Sequence, residues 1–302
     1  MIGFRAVLAL ALTALLLLAW HRLRSRPWRQ SVQTTVGLLL LPSLLLLAAD
    51  GYALYLFTVG CVTPAGGFWQ ATGLGALLLA NAALAVSSTR AWRQQRHMRR
   101  LVDALPALDA GAAGRLALAL PGLRDVSVRV CPGDQPVLFT TGKRRPVIVV
   151  SEWVFAHLDE QELIAALAHE LGHVAHGDGR LLLLVHALCP AGLGMFHEPL
   201  RQLSVALEQR ADAWAAAHHA DRLALASALV KVSRFSLPRQ ASAPAFAGQA
   251  SSVQSRVQTL LAGAGPARGP AWSEWWPLAA IGLGTLFLAL QAVGHLCGLH
   301  AV

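Results

Sequence analysis

The sequence predicts a mainly α membrane protein: about four transmembrane helices plus a small α+β domain with a short β-sheet. Three observations lead there. The chain of 302 residues is 55% hydrophobic and 14% charged, more apolar and less charged than soluble domains usually are. Four segments, 2–20, 35–59, 68–88 and 276–294, are long and apolar enough to cross about 30 Å of hydrocarbon. Between the third and the fourth, short β-branched runs give way to helical periodicity, a mixture that builds its own core. The expected division is 1–89 for the first three transmembrane helices, 90–273 for a cytoplasmic domain and 274–302 for a C-terminal transmembrane helix.

The first span has the look of a signal peptide. It lacks the small-residue cleavage pattern, and Arg22, Arg24, Arg26 and Arg29 follow at once, so it reads as a retained helix. The net charge of +9 resides in that cluster and in Arg90, Arg93, Arg96, Arg99 and Arg100; elsewhere basic and acidic residues balance. Charge confined to the flanks of spans is a positive-inside signal and a contact for anionic lipid. No nucleic acid is expected as a partner, because no recognition motif accompanies the arginines. Both clusters on the cytoplasmic side put the N-terminus outside, 50–67 near the outer face and everything from Arg90 to about Ser273 inside. Only about eight residues then follow the last span, which leaves no room there for an extracytoplasmic domain. Cys61, Cys131, Cys189 and Cys297 are far apart with no C-x-x-C spacing, so neither a thiolate zinc site nor a disulfide framework is expected.

The elements of the central region follow in order. Leu101 to Leu120 is Ala/Leu-rich and reads as a helix or helical pair interrupted by Pro106 and Gly111 and closed by Pro121 and Gly122. Val126 to Val130 alternates, Val137 to Thr140 follows a Pro-Gly-Asp turn, and Pro146 to Ser151 is β-branched: three short strands, the last two forming a hairpin around Gly142 to Arg145. Asp159 with Glu162 is a capping box that starts a helix running to about Gly177. Leu181 to His197 is apolar, but Pro190, Gly192, Gly194, His186 and His197 make it a poor spanning helix. Helices are expected from about Pro199 to His219 and from Asp221 to about Ser236. Leu237 to Ala250 reads as a loop, Ser251 to Leu261 as a short amphipathic helix, and Gly263 to Ser273 as a linker.

The capped helix carries His169-Glu170-Leu171-Gly172-His173. Histidines at i and i+4 project from one face and can hold a zinc ion, and the glutamate beside the first can act as general base. Two imidazoles leave zinc under-coordinated, since a catalytic site takes three protein ligands and a water. A metzincin would need Gly at 176 and His at 179; the chain has His176 and Gly179. His176 itself lies two turns from His169, too far to share one ion. Glu208 is the better third ligand, because it shares a helix face with Ala211, Asp212 and Ala215, small neighbours that permit close approach. Asp212 can accept the spare N–H of a ligating histidine. If Leu181 to His197 crossed a membrane once, Glu208 would be on the wrong side of it, so that segment must be re-entrant, interfacial, packed within the domain or a hairpin.

These residues resemble membrane zinc endopeptidases of the gluzincin type: the HtpX and CAAX-prenyl-protease family, and the related antibiotic-sensing receptor peptidases. The likeness rests on the H-E-L-G-H run with Asp178, on Glu208, Ala211 and Asp212, and on the Pro146 to Ser151 strand, and spans roughly Val126 to Leu261. It implies a zincin, minigluzincin-like catalytic domain in a multi-pass protein of a bacterial-type inner membrane, facing the cytoplasm, with one Zn2+ per chain held by His169, His173 and Glu208. It also implies an extended protein or peptide substrate paired along Val137 to Ser151, and Arg256-Val257 with Leu260 as a late family element. Receptor-type members carry an extracytoplasmic ligand domain that this sequence lacks, so direct antibiotic sensing is not expected.

The expected reaction is peptide-bond hydrolysis with Glu170 moving the proton; His218, His219 and Arg210 are candidate donors to the oxyanion. Two further readings use the same residues. One is a signalling component that cleaves a cytosolic repressor. The other is a non-catalytic zinc-binding scaffold, which would have no need of Glu170.

Overall fold

The computed structural model describes residues 68–142, 145–189, 197–218, 220–236 and 245–263, with isolated positions between 32 and 50. The expected helices at 2–20 and 274–302, nearly all of that at 35–59, the Arg22 to Arg29 cluster, Cys61, Cys297, His219 and most of the linker after Gly263 lie outside the described residues. The chain divides into two compact units, one of Met1–Ala91, Val185–Leu203 and Arg268–Val302, the other of Trp92–Leu184 and Ser204–Ala267.

Helix α1, Phe68–Asp103, has 36 residues and is about 54 Å long at 1.5 Å per residue. The third expected span and the second arginine cluster are therefore one continuous helix. Leu78, Leu79 and Val86 on it are exposed. Among the described residues, no helix is long and apolar enough to cross a membrane. Within the first unit, Asn81 Nδ2 donates to Asp50 Oδ1 at 2.8 Å, Ser88 Oγ to Ala187 O at 2.8 Å and Cys189 Sγ to Leu39 O at 3.1 Å. The last two bonds tie Ala187 and Cys189 to earlier helical residues of that unit.

In the second unit, Pro106 disfavours helix in the residue before it, and α1 gives way to α2, Ala110–Ala119. Asp109 caps α2 by accepting from the N–H groups of Gly111 and Ala112, so Gly111 lies in the first turn of this helix rather than breaking it. A 3-10 turn, Pro121–Asp125, leads into the strands β1 (Ser127–Cys131), β2 (Leu138–Thr141) and β3 (Val147–Ser151). The sheet order is β1-β3-β2, with β1 parallel and β2 antiparallel to β3. The expected hairpin is thus present, and its turn needs Gly142: φ is 102°, and a Cβ would stand 2.3 Å from Arg145 O.

β3 is central, and its Ile148, Val149 and Val150 are buried. Its backbone is paired on both sides, so the strand that can take another chain is β2 rather than the one adjoining the metal helix in sequence. The outer edge of β1 is already used, since Leu108 N donates to Val128 O at 3.0 Å and Val130 N to Pro106 O at 2.9 Å. β2 keeps its outer edge unpaired among the described residues.

After β3 comes a short helix α3, Glu152–His157, which places Trp153 and Val154 in the core. Helix α4, Glu160–His176, opens with the expected capping box: Glu162 N donates to Asp159 Oδ1 and Asp159 N to Glu162 Oε2, both at 2.9 Å. It closes on Gly177 at φ 68°. Helices α5 (Asp178–Leu188), α6 (His197–His218), α7 (Arg222–Ser236) and α8 (Ala245–Leu261) complete the described chain. α8 starts within the stretch expected to be a loop, because its Ala- and Gln-containing beginning is compatible with helix. The buried Glu162 carboxylate also accepts from Ser227 Oγ and Lys231 Nζ, each at 2.6 Å, and pins α7 along α4.

Candidate metal centre

α4 and α6 meet where side chains are smallest. A Cβ on Gly172 would lie 3.1 Å from Ala211 Cα and O and 3.4 Å from Ala211 Cβ, so only glycine lets the two backbones approach this far. Ala211 and Ala215 are fully buried, the small face expected from the sequence. Glu208 lies one turn before Ala211 and is thereby carried to the histidines of α4. Its Oε2 is 3.3 Å from His169 Nε2 and its Oε1 3.7 Å from His173 Nε2, and the two Nε2 atoms are 3.2 Å apart. One donor atom from each of the three lies within 4.8 Å of the others, a group that can hold a metal ion.

The outward nitrogens of both rings face carboxylates. His173 Nδ1 is 2.7 Å from Asp178 Oδ2, and Arg210 Nη2 pairs with the other oxygen of Asp178. His169 Nδ1 is 2.8 Å from Asp212 Oδ1, although its N–H points off the line between them. Asp212 in turn accepts from Arg256 Nε and Nη2, each at 2.7 Å, and Arg256 Nη1 is 2.8 Å from Glu208 Oε2. His173 Nδ1 is held by Asp178 and His169 Nδ1 lies against Asp212, and the two Nε2 atoms face the common point.

Charge favours a cation there. Burial pulls His169 down, but the Asp212 and Glu208 carboxylates outweigh it and raise its pKa from 6.5 to about 9. Burial pushes Glu208 up, yet His169 and Arg256 bring it down to about 2. Asp212 likewise stays far below the usual carboxylate range: burial opposes this, and Arg256 and His169 prevail. The Glu208 carboxylate and the two imidazoles form a donor set suited to zinc, with the Asp212 carboxylate beside His169.

Glu170, buried between the histidines in sequence, accepts from Thr140 Oγ1 at 2.6 Å. The partner comes from β2, so the edge strand and the glutamate are in direct contact. His176 turns back on its own helix, with Nδ1 2.8 Å from Gly172 O, and is not among the three donors. Arg210 is engaged with Asp178, and His218 stacks on Trp214 with Nδ1 2.9 Å from Trp214 O; neither is placed as a donor to an oxyanion. Sequence reasoning missed Thr140 outright. A lone threonine in a strand carries no signal, although its place on the strand expected to line the cleft was a usable clue. The Asp178–Arg210 pair joins residues of separate helices, and such pairing is invisible before they pack.

Comparison with known proteins agrees with this geometry. Residues 124–272 match the model of peptidase family M48, a zinc-dependent family. The chain is 33% identical over 137 residues to a protease HtpX homolog of Acidiphilium cryptum, which covers 43% of this chain and 47% of that protein. It is 30% identical over 175 residues to protease HtpX of Acinetobacter baylyi, 53% of this chain and 57% of that protein. A protease HtpX homolog of Methanopyrus kandleri is 34% identical over 80 residues, 26% of this chain and 25% of that protein. The chain spans about half the length of the first two relatives. No solved structure matches. Residues 124–272, just under half of the chain, are a peptidase family M48 region with HtpX-like relatives.

Proposed function

We propose that this chain is an integral-membrane zinc endopeptidase whose site faces the cytoplasm, with His169, His173 and Glu208 as metal ligands, Glu170 as general base and Asp212 supporting His169. The observation that carries the reading is the convergence of His169, His173 and Glu208 to within 4.8 Å with Glu170 on the same helix. A zinc ion held there supplies Lewis acidity toward a carbonyl oxygen and acidifies a water. Glu170, steadied by Thr140, takes a proton from the attacking water and delivers it to the leaving amine nitrogen. Asp178 and Asp212 hold the two imidazoles in the tautomer that leaves Nε2 free to ligate. The unpaired edge of β2 accepts an extended substrate by strand addition, which aligns its backbone with the site. Membrane attachment is supported by the apolar segments of the sequence and by the exposed Leu78, Leu79 and Val86 of α1. The cytoplasmic orientation is supported by the nine flanking arginines.

The test compares purified full-length wild type with Glu170→Ala and Glu208→Ala for zinc content and for cleavage of an unfolded protein. Glu170→Ala should keep its zinc and lose about 10^2- to 10^4-fold in rate, whereas Glu208→Ala should lose zinc. Full activity in Glu170→Ala sinks the mechanism, and undiminished zinc in Glu208→Ala sinks the ligand assignment.

A further inference from the structure

The cleft beside the metal centre has a volume of about 750 Å³, within the range of sites that enclose a ligand. Its end past His173 is bounded by the turn that follows β2 and by the start of α5, where Gly142, Gly177 and Gly179 contribute no side chains. A Cβ on Gly179 would lie 3.7 Å from Gly142 O, so the two segments face each other closely. The charge at this end is positive. Asp178 lines it, but one of its oxygens is 2.7 Å from His173 Nδ1 and the other is paired with Arg210. The exposed Arg180 lines it as well, and Arg145, also exposed, closes the turn that begins at Gly142. His176 lines it from α4; with Nδ1 turned to Gly172 O at 2.8 Å, its Nε2 is left to meet a ligand. The other carboxylates of the cleft, Glu170 and Glu208, belong to the general base and the metal group.

We infer that Arg180, with His176, forms a subsite for an acidic side chain of the substrate, two residues along the peptide from the residue that lies at Glu170. This rests on the peptidase reading above and deepens it. The spacing comes from β2. Thr140 Oγ1 is 2.6 Å from Glu170 Oε2, so a substrate residue paired opposite Thr140 lies at the reacting centre. Gly142 is two residues on, about 7 Å along an extended strand, and stands beside Gly179. A substrate side chain two residues from the one at Glu170 projects to the same face. It meets Gly142 there, which has no Cβ to crowd it. Arg180 brings a planar fork of donors that matches a carboxylate. A Lys or Arg in this place would face like charge, because both oxygens of Asp178 are already engaged. The subsite therefore discriminates by the sign of the charge, through repulsion as well as attraction.

The experiment digests two peptide libraries, one with acetylated and amidated ends and one with free ends, with the purified, zinc-loaded full chain and reads the cleavage sites by mass spectrometry. Blocked ends leave side chains as the source of carboxylate. Wild type should show Asp and Glu enriched, and Lys and Arg depleted, at one position two residues from a residue flanking the cut. Matched blocked peptides with Glu, Gln or Lys at that position should fall in kcat/KM by about two- to fivefold at each step. The differences should shrink at about 1 M salt, where the Debye length is about 3 Å. Arg180→Gln should remove most of the preference for Glu over Gln, and Arg180→Glu should reverse it toward Lys, an inversion that a purely structural role for Arg180 does not produce. Arg180→Gln decides if Arg180→Glu does not fold. A second measurement uses Glu170→Ala protein and fluorescent peptides: by anisotropy, the Glu peptide should bind about fourfold or more tightly than the Lys peptide. A flat profile at that position, a preference seen only with free C-terminal carboxylates, an undiminished preference in active Arg180→Gln, or equal binding of the Glu and Lys peptides overturns the subsite while leaving the peptidase reading intact. Cleavage that persists in Glu170→Ala, or no cleavage by wild type, overturns both.

Discussion

Replacing Gly172 by alanine sets two opposing effects against each other at the contact that builds the metal centre. In a helix interior alanine is favoured over glycine by about 1 kcal/mol, so an unobstructed Gly172→Ala would stabilise α4. The new Cβ, however, would lie 3.1 Å from Ala211 Cα and O, against ordinary carbon contacts of about 3.5–4.0 Å. The obstacle is the backbone of α6, which cannot rotate away as a side chain would, so the helices must part by roughly half an ångström. Overpacking of this kind costs about 1–3 kcal/mol, which leaves the variant about 0–2 kcal/mol less stable than wild type after the propensity gain. The larger effect falls on the metal. Glu208 sits one turn from Ala211 and moves with α6, away from His169 and His173, and an outward shift should weaken zinc binding about tenfold or more, as the loss of a supporting partner does. Thermal unfolding with and without zinc, paired with a competitive chelator titration, measures both terms. A Gly172→Ala protein that gains about 1 kcal/mol and binds zinc as tightly as wild type would refute the argument that this close approach positions Glu208.

Three further outcomes follow from the same geometry. Thr140→Val removes the hydroxyl that donates to Glu170 Oε2, and should lower kcat about tenfold with zinc content unchanged, since a hydrogen bond to a charged group is worth about 1.5–3 kcal/mol; unchanged kcat would separate β2 from the general base. Arg256→Ala strands the buried Asp212 carboxylate and should cost about 3–5 kcal/mol in denaturant unfolding of the zinc-free protein, with Arg256→Lys recovering only part because it cannot donate the paired Nε and Nη2 bonds; a loss in Arg256→Ala within about 0.5 kcal/mol, typical of a plain surface position, contradicts this. Burial raises the pKa of Glu162, but its bonds from Lys231, Ser227 and Asp159 N outweigh burial and hold it below 4.5. Its contribution to stability is therefore complete above the unfolded-state pKa and is lost as pH falls through the lower folded value. Unfolding followed from pH 7 to pH 3 should show this as a decline that is shallower in Glu162→Gln, and identical slopes would remove Glu162 from the acid limb.

Much of the site was legible because its signals are local. Two histidines one turn apart, the glutamate beside them, the capping box at Asp159 and Glu162 and the glycine stop at Gly177 are all set within a few residues by helical geometry. Glu208 and Asp212 were legible for a different reason: a zinc ion needs a third ligand, and few acidic residues stand on a face with small neighbours. What could not be read were the partners of those residues. Asp178 is an ordinary turn residue in sequence; in the fold it supports His173 while Arg210 of α6 binds its other oxygen. Strand identity shows the same limit. The β-branched run of β3 announces a buried strand, but whether it is the edge or the centre depends on where β1 lands, and β1 pairs with it in parallel.

By itself the sequence determined the secondary structure around the motif and the arginine-flanked apolar segments, and it singled out His169, His173 and Glu208 as candidate donors, because periodicity, capping and composition are local to a stretch of chain. Only the tertiary structure decided that β2 is the open edge, that Thr140 meets Glu170 and that Arg256 binds both Asp212 and Glu208. Those contacts join residues from separate elements, and the close approach of α4 and α6 at Gly172 and Ala211 is what brings Glu208 and Asp212 to the histidines.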